Sequence, residues 1–291
     1  MTEYILHIMI ILNIYIMLVL SANLTVGMAN LLTLCQAAFY GVGAYIGAFF
    51  LMQFQLPILV ILLVVASITG LFSFLVSYAS VKLKGDYFVL ATMGFQLIVY
   101  TILYNWIPVT HGPYGISGIP DLQLLGVWKL SGVYAYWGLS FALAILIVLL
   151  MKSLYGSPFG RTLKAIKDDE LIVQSMGRNT VSAKSWAFFI SAAIAGIAGT
   201  LYASYVGYID PTGFTLNESI FIISALFIGG IGNVSGPIFG AVFVVLLPEL
   251  LRFIGLPDMI AANLRQIIYG LALILIVFFR PQGVFGKTIL K

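Results

Sequence analysis

The sequence predicts an all-α fold, a polytopic transmembrane helical bundle. Three observations lead there. The 291 residues are 62% hydrophobic and only 8% charged, well beyond the roughly 45–50% apolar share of soluble domains. Apolar runs of the order of 20 residues, each long enough to cross a hydrocarbon core, recur along the chain. The runs are continuous rather than alternating, and in lipid only helices or closed barrels satisfy their own backbone, so helices are the reading. The chain reads as one domain over 1–291 with one polar insert over about 153–184.

About ten membrane segments follow in order, two of them short. The first covers 4–21; the Met-Thr-Glu start carries no basic leader, so this run reads as a retained span and not a cleaved signal. A short one covers 23–34, followed by 36–52, 57–80, 87–106 and 135–151. Beyond the insert come 185–205, 216–228, 237–253 and 264–279. The second and eighth are too short to cross comfortably at about 1.5 Å per residue. The order suggests an inverted repeat, with the second to fifth segments mirroring the seventh to tenth.

Lys and Arg orient the bundle. Lys82 and Lys84 follow the fourth segment. Lys152, Arg161, Lys164, Lys167, Arg178 and Lys184 lie between the sixth and seventh, and Arg280, Lys287 and Lys291 follow the last. With both termini cytoplasmic, only Lys129, Arg252 and Arg265 of the 14 basic residues fall outside, as the positive-inside bias requires. That bias also accounts for the net charge of +4 and excludes a nucleic-acid reading. Trp106, Trp128 and Trp137 then sit near the outer interface, where indole rings anchor.

The chemistry of catalysis is absent from the sequence. Cys35 is single, His7 and His111 are far apart, and no HExxH, carboxylate pair or Ser/His/Asp set occurs. No GxxxxGK[ST] phosphate loop occurs either, so any ATP binds another chain. No Lys, Arg, Asp or Glu falls near a segment centre, which counts against an ion-coupled carrier. What remains inside the segments is small or amide-bearing. Gly41, Gly43, Ala44 and Gly47 crowd the third segment, and Ala192, Ala193, Ala195, Gly196, Ala198 and Gly199 the seventh; such residues let helices approach closely in lipid. The run GGIGNVSGP over 229–237 cannot be a relaxed helix. Interrupted segments in two halves point to a transport path. Asn23, Asn30, Gln36, Gly41, Gln96, Ser224, Gly232 and Gly236 are therefore the candidate pathway residues, and 23–43 and 229–240 are expected to meet near the midplane.

The insert, SPFGRTLKAIKDDELIVQSMG over 157–177, is the polar anomaly. Ser157 suits an N-cap and Pro158 the first helical position. A first helix is expected over 158–167, and a second over 170–176, capped by Asp168 or Asp169 and ended by Gly177 as a left-handed C′ residue. Leu171, Ile172 and Met176 make one side of the second helix apolar, and charges of both signs disfavour a helix lying on lipid. The insert is expected to dock on a soluble partner.

At these residues the chain resembles the branched-chain amino acid permease subunits of bacterial ABC importers, the LivM-like branch. The resemblance rests on SPFGRTLKAIKDDE (157–170), MGRN (176–179), KSWAFFISAAIAGIAGTLYA (184–203), GYIDPTGFTLNESI (207–220), GGIGNVSGPIFGA (229–241) and FRPQGVFG (279–286). LTLCQAAFYGVGAY (32–45), LKGDYFVLATMGF (83–95) and HGPYGISGIP (111–120) extend it over the first half. It implies that the insert is a coupling helix seated in a cleft of a cytoplasmic ATPase, with Arg161, Lys164, Lys167, Asp169, Glu170, Ile172, Met176 and Gly177 as the coupling residues. Such permeases often carry a loose EAA…G pattern there; here Glu170 and Gly177 stand one residue too far apart, and Leu171-Ile172-Val173 replace small residues. After Phe95, Leu97 and Tyr100 stand where relatives tend to place an acidic residue and an arginine.

The resemblance implies a permease that moves leucine, isoleucine or valine across the bacterial cytoplasmic (inner) membrane without covalent chemistry of its own. The implied partners are a second homologous permease, two cytoplasmic ATPases, an extracytoplasmic solute-binding protein and membrane lipid, with ATP and Mg in the ATPases and no cofactor in this chain. Urea, short amides and other small amino acids are the alternative cargoes. A different class, an ATP-independent channel for small neutral solutes, fits the lack of central charge but not the charged insert. A membrane-embedded enzyme has almost no residue support.

Overall fold

The computed structural model describes residues 2–54, 56–80, 83, 85–124, 128–129 and 132–253, with isolated positions between 264 and 285. Among them the chain is helical: α1 (Thr2–Asn23), α2 (Gln36–Phe54), α3 (Ile58–Ser80), α4 (Asp86–Asn105), α5 (Ile107–Thr110), α6 (Val133–Gly156), α7 (Pro158–Asp168), α8 (Glu170–Ser175), α9 (Thr180–Val206), α10 (Leu216–Gly229) and α11 (Ser235–Phe253). Six helices are long and apolar enough to cross a membrane: α1 with its extension to Met28, α2, α3, α4, α6 and α9. Two-residue strands supply the only sheet among the described residues; β1 (Ile116–Ser117), β2 (Gln123–Leu124), β3 (Trp128–Lys129) and β4 (Tyr208–Ile209) form the antiparallel pairs β1–β4 and β2–β3.

The core is built around α9, which packs along α1, α2 and α3. Small residues make that packing close. A Cβ on Gly43 of α2 would lie 2.2 Å from the Gly196 Cα, and one on Gly47 would lie 2.5 Å from the Thr200 hydroxyl. On the other side of α9, a Cβ on Gly196 would lie 2.4 Å from Thr69 of α3. With no hydrophobic drive between helices in lipid, such contact is what associates them.

The expected second segment over 23–34 is not a separate helix. α1 continues past Asn23 into a π-helical turn, Leu24–Met28, and residues 30–35 are irregular. Asn30, at φ 56°, takes the left-handed conformation that ends a helix. The apolar run continues through this break, so hydropathy alone reads it as a short span. The first member of the suggested inverted repeat is thus no helix of its own, and half of the residues of its last member, 264–279, lie outside the described residues. So do Lys82, Lys84, Arg265, Arg280, Lys287 and Lys291.

Losing one crossing inverts the N-terminus. α6 leads directly into α7 at its C-terminal end, and α9 starts from the same end. α1 runs parallel to α6, with Asn13 donating to Ser140 at 3.1 Å and Asn23 to the Tyr155 hydroxyl at 2.5 Å. Near its start, His7 meets Tyr205, close to the far end of α9, at 2.7 Å. The N-terminus and the insert therefore occupy opposite ends of the bundle, and they cannot both be cytoplasmic. The basic residues could not reveal this, because none precedes Lys82. Trp106, at the end of α4, and Trp137, in the first turns of α6, lie at the far end as expected.

In a variant with Cys35→Ser, cysteines introduced at Thr2 and at Ser182 are expected to react with an impermeant thiol reagent from opposite faces of sealed vesicles; labelling of both from one face would refute this arrangement. The tight α2–α9 crossing makes a second prediction. Gly43→Ala is expected to destabilise by about 1–3 kcal/mol through overpacking, read as a lowered melting temperature in detergent, whereas Gly138→Ala, which meets nothing within 4 Å, is expected to leave it unchanged.

Candidate functional site

The insert folds as its sequence dictates. The Ser157 side chain accepts from the Gly160 amide at 3.1 Å and opens α7 with Pro158 at its first position. Gly160, Leu163, Ile166 and Lys167 form its inward stripe, a helical spacing, while Arg161 and Lys164 are exposed. Asp169 separates the two helices and caps α8, accepting from the Leu171 and Ile172 amides at 2.8 and 3.1 Å. Gly177, at φ 78°, turns the chain out of α8.

Two basic residues of this region turn inward. The buried Lys167 ammonium donates to the Gly27 carbonyl of the π-helical turn at 3.0 Å. Burial pushes its pKa below the ordinary lysine range, and neighbouring Asp168 partly restores it. Lys184 pairs with Glu170 at 2.7 Å, clamping α8 to the start of α9. Opposite these anchors, Leu171, Ile172 and Met176 are 66%, 58% and 76% exposed. The Glu170 anchor and the exposed Leu171 and Ile172 belong to the same short helix, with Met176 just past its end.

The two interrupted regions do meet, but toward the insert end of the bundle and not at mid-length as expected, since Asn23 also reaches Tyr155 at the end of α6, and side-chain amides join them. Asn23 donates to the Asn233 carbonyl at 2.6 Å and accepts from the Gly232 amide at 3.2 Å. Asn233 in turn accepts from the Gly236 amide at 2.8 Å and donates to the Phe285 carbonyl. Gln36, fully buried, bonds Ser21 and lies 3.4 Å from Ser191. Gln96, also fully buried, accepts from the Ala38 amide at 2.7 Å and donates to the Phe214 carbonyl at 2.8 Å. The Ser224 hydroxyl donates to the Ile220 carbonyl in its own helix. Gly41 faces the Phe214 ring, and Gly236 faces Gly229 and Gly230, all at distances only glycine allows. Asn30 lines a cavity at the insert end. At the departures after Phe95, Leu97 is 45% exposed and Tyr100 lies 5.8 Å from the Tyr104 ring.

One group departs from expectation. Glu218 accepts from the Tyr15 hydroxyl at 2.6 Å, and Tyr15 is halfway along the Thr2–Met28 span. A carboxylate therefore does sit at mid-depth, contrary to the reading of the sequence, and the argument from missing central charge loses its force. The cause is re-entry. After β4 the chain turns inward through Pro211–Phe214, and Phe214 packs at 5.1 Å from the Tyr40 ring before α10 begins. α10 has 14 residues, about 21 Å of helix in a core about 30 Å thick. A helix that short, with an acid in its first turn, was the available signal.

Asn23→Ala and Glu218→Leu are each expected to lower the melting temperature, by about 1–3 kcal/mol per buried partner left unpaired. Glu218→Gln keeps an acceptor for Tyr15 and is expected to avoid most of the loss; equal effects of Gln and Leu would show that the Tyr15 bond contributes nothing.

Comparison with known proteins follows the same lines. The family described as branched-chain amino acid transport system / permease component matches residues 4–277. The high-affinity branched-chain amino acid transport system permease protein LivM of Salmonella typhimurium is 32% identical over 297 residues, covering 94% of this chain and 68% of its own. The probable branched-chain amino acid transport permease protein LivM of Methanocaldococcus jannaschii is 29% identical, covering 78% and 68%. The probable LivH permease protein of the same organism is 24% identical, covering 94% and 89%. No solved structure matches.

Proposed function

Because the chain belongs to the branched-chain amino acid transport permease family, we propose that it is the membrane subunit of an ATP-driven importer for leucine, isoleucine or valine. Its partners are a second, related permease, two cytoplasmic ATPases and an extracytoplasmic binding protein, all in the cytoplasmic membrane or at its faces. The likeness to both LivM and LivH proteins supports a pair of related but distinct permeases. ATP and Mg belong to the ATPases. Urea and short amides are the rival cargoes, because selectivity rests chiefly with the binding protein.

The observation that carries this reading is the exposed triad Leu171, Ile172 and Met176 on a helix anchored from behind. Exposed apolar surface rimmed by charge marks a protein contact, and with the insert at the cytoplasmic face that contact is the ATPase. Movement of α7 and α8 is carried inward along two links. Lys167 connects α7 to the π-helical turn at Gly27, and Asn23, one turn earlier, holds the α10–α11 junction. Glu170 connects α8 to α9. The insert thus pulls on α1, α9, α10 and α11 together, which suits a rocking of spans between outward and inward openings. Asn23, Asn30, Gln36, Gly41, Gln96, Ser224, Gly232 and Gly236 remain our candidates for the zone that moves around the cargo.

Ile172→Asp combined with Met176→Asp is expected to reduce ATP hydrolysis stimulated by loaded binding protein at least about tenfold, as loss of central contact residues does. The melting temperature of the isolated permease is expected to stay put, since both side chains are exposed. Full stimulated hydrolysis by this variant would sink the assignment of α8 as the coupling surface. Uptake of labelled leucine, compared with urea, by cells carrying the intact importer tests the cargo.

A further inference from the structure

The last described residues of the chain, Gly283, Val284 and Phe285, lie across the junction between α10 and α11. α10 ends at Gly229, and the final carbonyls of a helix have no partner within it. Here two of them are taken by this distant segment. The Val284 amide donates to the Ile228 carbonyl at 3.2 Å, and the Phe285 amide to the Gly229 carbonyl at 3.0 Å. Gly283, buried and at φ 77°, lies against Gly230 so closely that a side chain on it would collide with backbone. Asn233 holds the segment from the other helix. Its side chain accepts from the Gly236 amide at 2.8 Å, as an N-capping side chain does in a first helical turn, and it donates to the Phe285 carbonyl. The Phe285 ring packs edge-on against Phe239 of α11, with centroids 5.2 Å apart. The Asn233 carbonyl in turn accepts from Asn23. Three residues therefore touch the end of α10, the start of α11 and, through one asparagine, the broken end of α1.

We propose that Gly283–Phe285 is a splint across the α10–α11 junction and that Asn233, which grips it, is a positioning residue for transport; the proposal rests on the importer reading above. With the splint in place, α10, α11 and the broken end of α1 move as one body when the insert moves. The junction has little stiffness of its own. It runs through Gly230 and Gly232, at φ 105° and 85°, and glycine leaves a backbone free to take up many conformations. A hinge of that kind would let α10 swing against α11 and would dissipate a displacement arriving through Asn23. Three hydrogen bonds to a third element, from Val284, Phe285 and Asn233, close the hinge. Val284 and Phe285 are 38% and 49% exposed, so polar contacts and the approach of glycine to glycine hold the segment more than apolar burial does. The two tasks of Asn233 separate by chemistry. An aspartate carboxylate accepts from the Gly236 amide and still caps α11, but it has no hydrogen to donate to the Phe285 carbonyl.

The test uses the complete importer in proteoliposomes, with leucine uptake and ATP hydrolysis stimulated by loaded binding protein measured side by side. Asn233→Asp is expected to lower uptake per ATP about fivefold, a size usual for changes along a coupling route, while stimulated hydrolysis stays near that of the wild type. Asn233→Ala, which loses cap and grip together, is expected to lower the ratio at least as far. A purely structural role would reduce uptake and hydrolysis in step with a lower melting temperature and leave their ratio alone. That result, or an Asn233→Asp variant indistinguishable from wild type, overturns the proposal. A second arm stands if these variants fold poorly. Phe239→Cys with Phe285→Cys, both at exposed positions and combined with Cys35→Ser, sets two thiols across the splint. A short bifunctional maleimide is expected to join them equally well in the nucleotide-free and the vanadate-trapped complex, and the joined importer is expected to keep its uptake and its stimulated hydrolysis. Loss of both on joining would reveal a latch that must open, and failure to join in either state would place the segment elsewhere; each overturns the splint. Joining and hydrolysis are read without reference to cargo. A wild-type importer that carries no leucine defeats the cargo proposal, and these two readings still decide the splint.

Discussion

Backbone hydrogen bonding in the absence of water is the constraint on which this structure depends. A helix satisfies itself, but this chain interrupts its helices inside the bundle, after α1, before α10 and between α10 and α11. Each interruption frees amides and carbonyls that lipid cannot satisfy. Side chains take them up. Asn23 serves Gly232 and Asn233, Ser219 and Gln96 accept from the first amides of α2, and Gln96 also serves Phe214. Lys167 takes the Gly27 carbonyl from outside the bundle. Asn23, Gln96 and Ser219, all buried, are committed to this task.

That commitment links architecture to movement. The amides that satisfy the breaks also bind one break to another, so the broken end of α1 and the α10–α11 junction form one unit. Gly229, Gly236 and Gly240 let the two halves of that junction approach at backbone contact, since a Cβ on Gly229 would lie 1.9 Å from the Gly236 carbonyl. The insert is fastened to this unit by a buried cation and to α9 by an ion pair. The insert and the interrupted region are therefore joined by polar links of defined geometry, Lys167 of α7 to Gly27 and Glu170 of α8 to Lys184.

Most of the elements were legible in the sequence because their signals are local. The α3, α4 and α9 spans follow from hydropathy and length, and the insert helices from Ser157, Pro158, Asp169 and Gly177, whose preferences act within one turn. The close approach of Gly43 and Gly196 was implied by clustered small residues, though not their pairing. The break after α1 was misread because Asn30 ends the helix in a single residue within an unbroken apolar run. That one crossing changed the parity of the bundle and moved the N-terminus to the far end.

The sequence by itself determined the class, the membrane-grade helices, the polar insert and its caps, and the family to which the chain belongs. Each depends on composition or on neighbours within a few residues. Only the tertiary structure decided which amide satisfies which break, that Glu218 reaches Tyr15 at mid-depth, and that Asp86, Glu170 and Lys184 share one cavity. These are contacts between residues up to about two hundred positions apart, fixed by how helices of similar hydropathy pack, and no local preference encodes them.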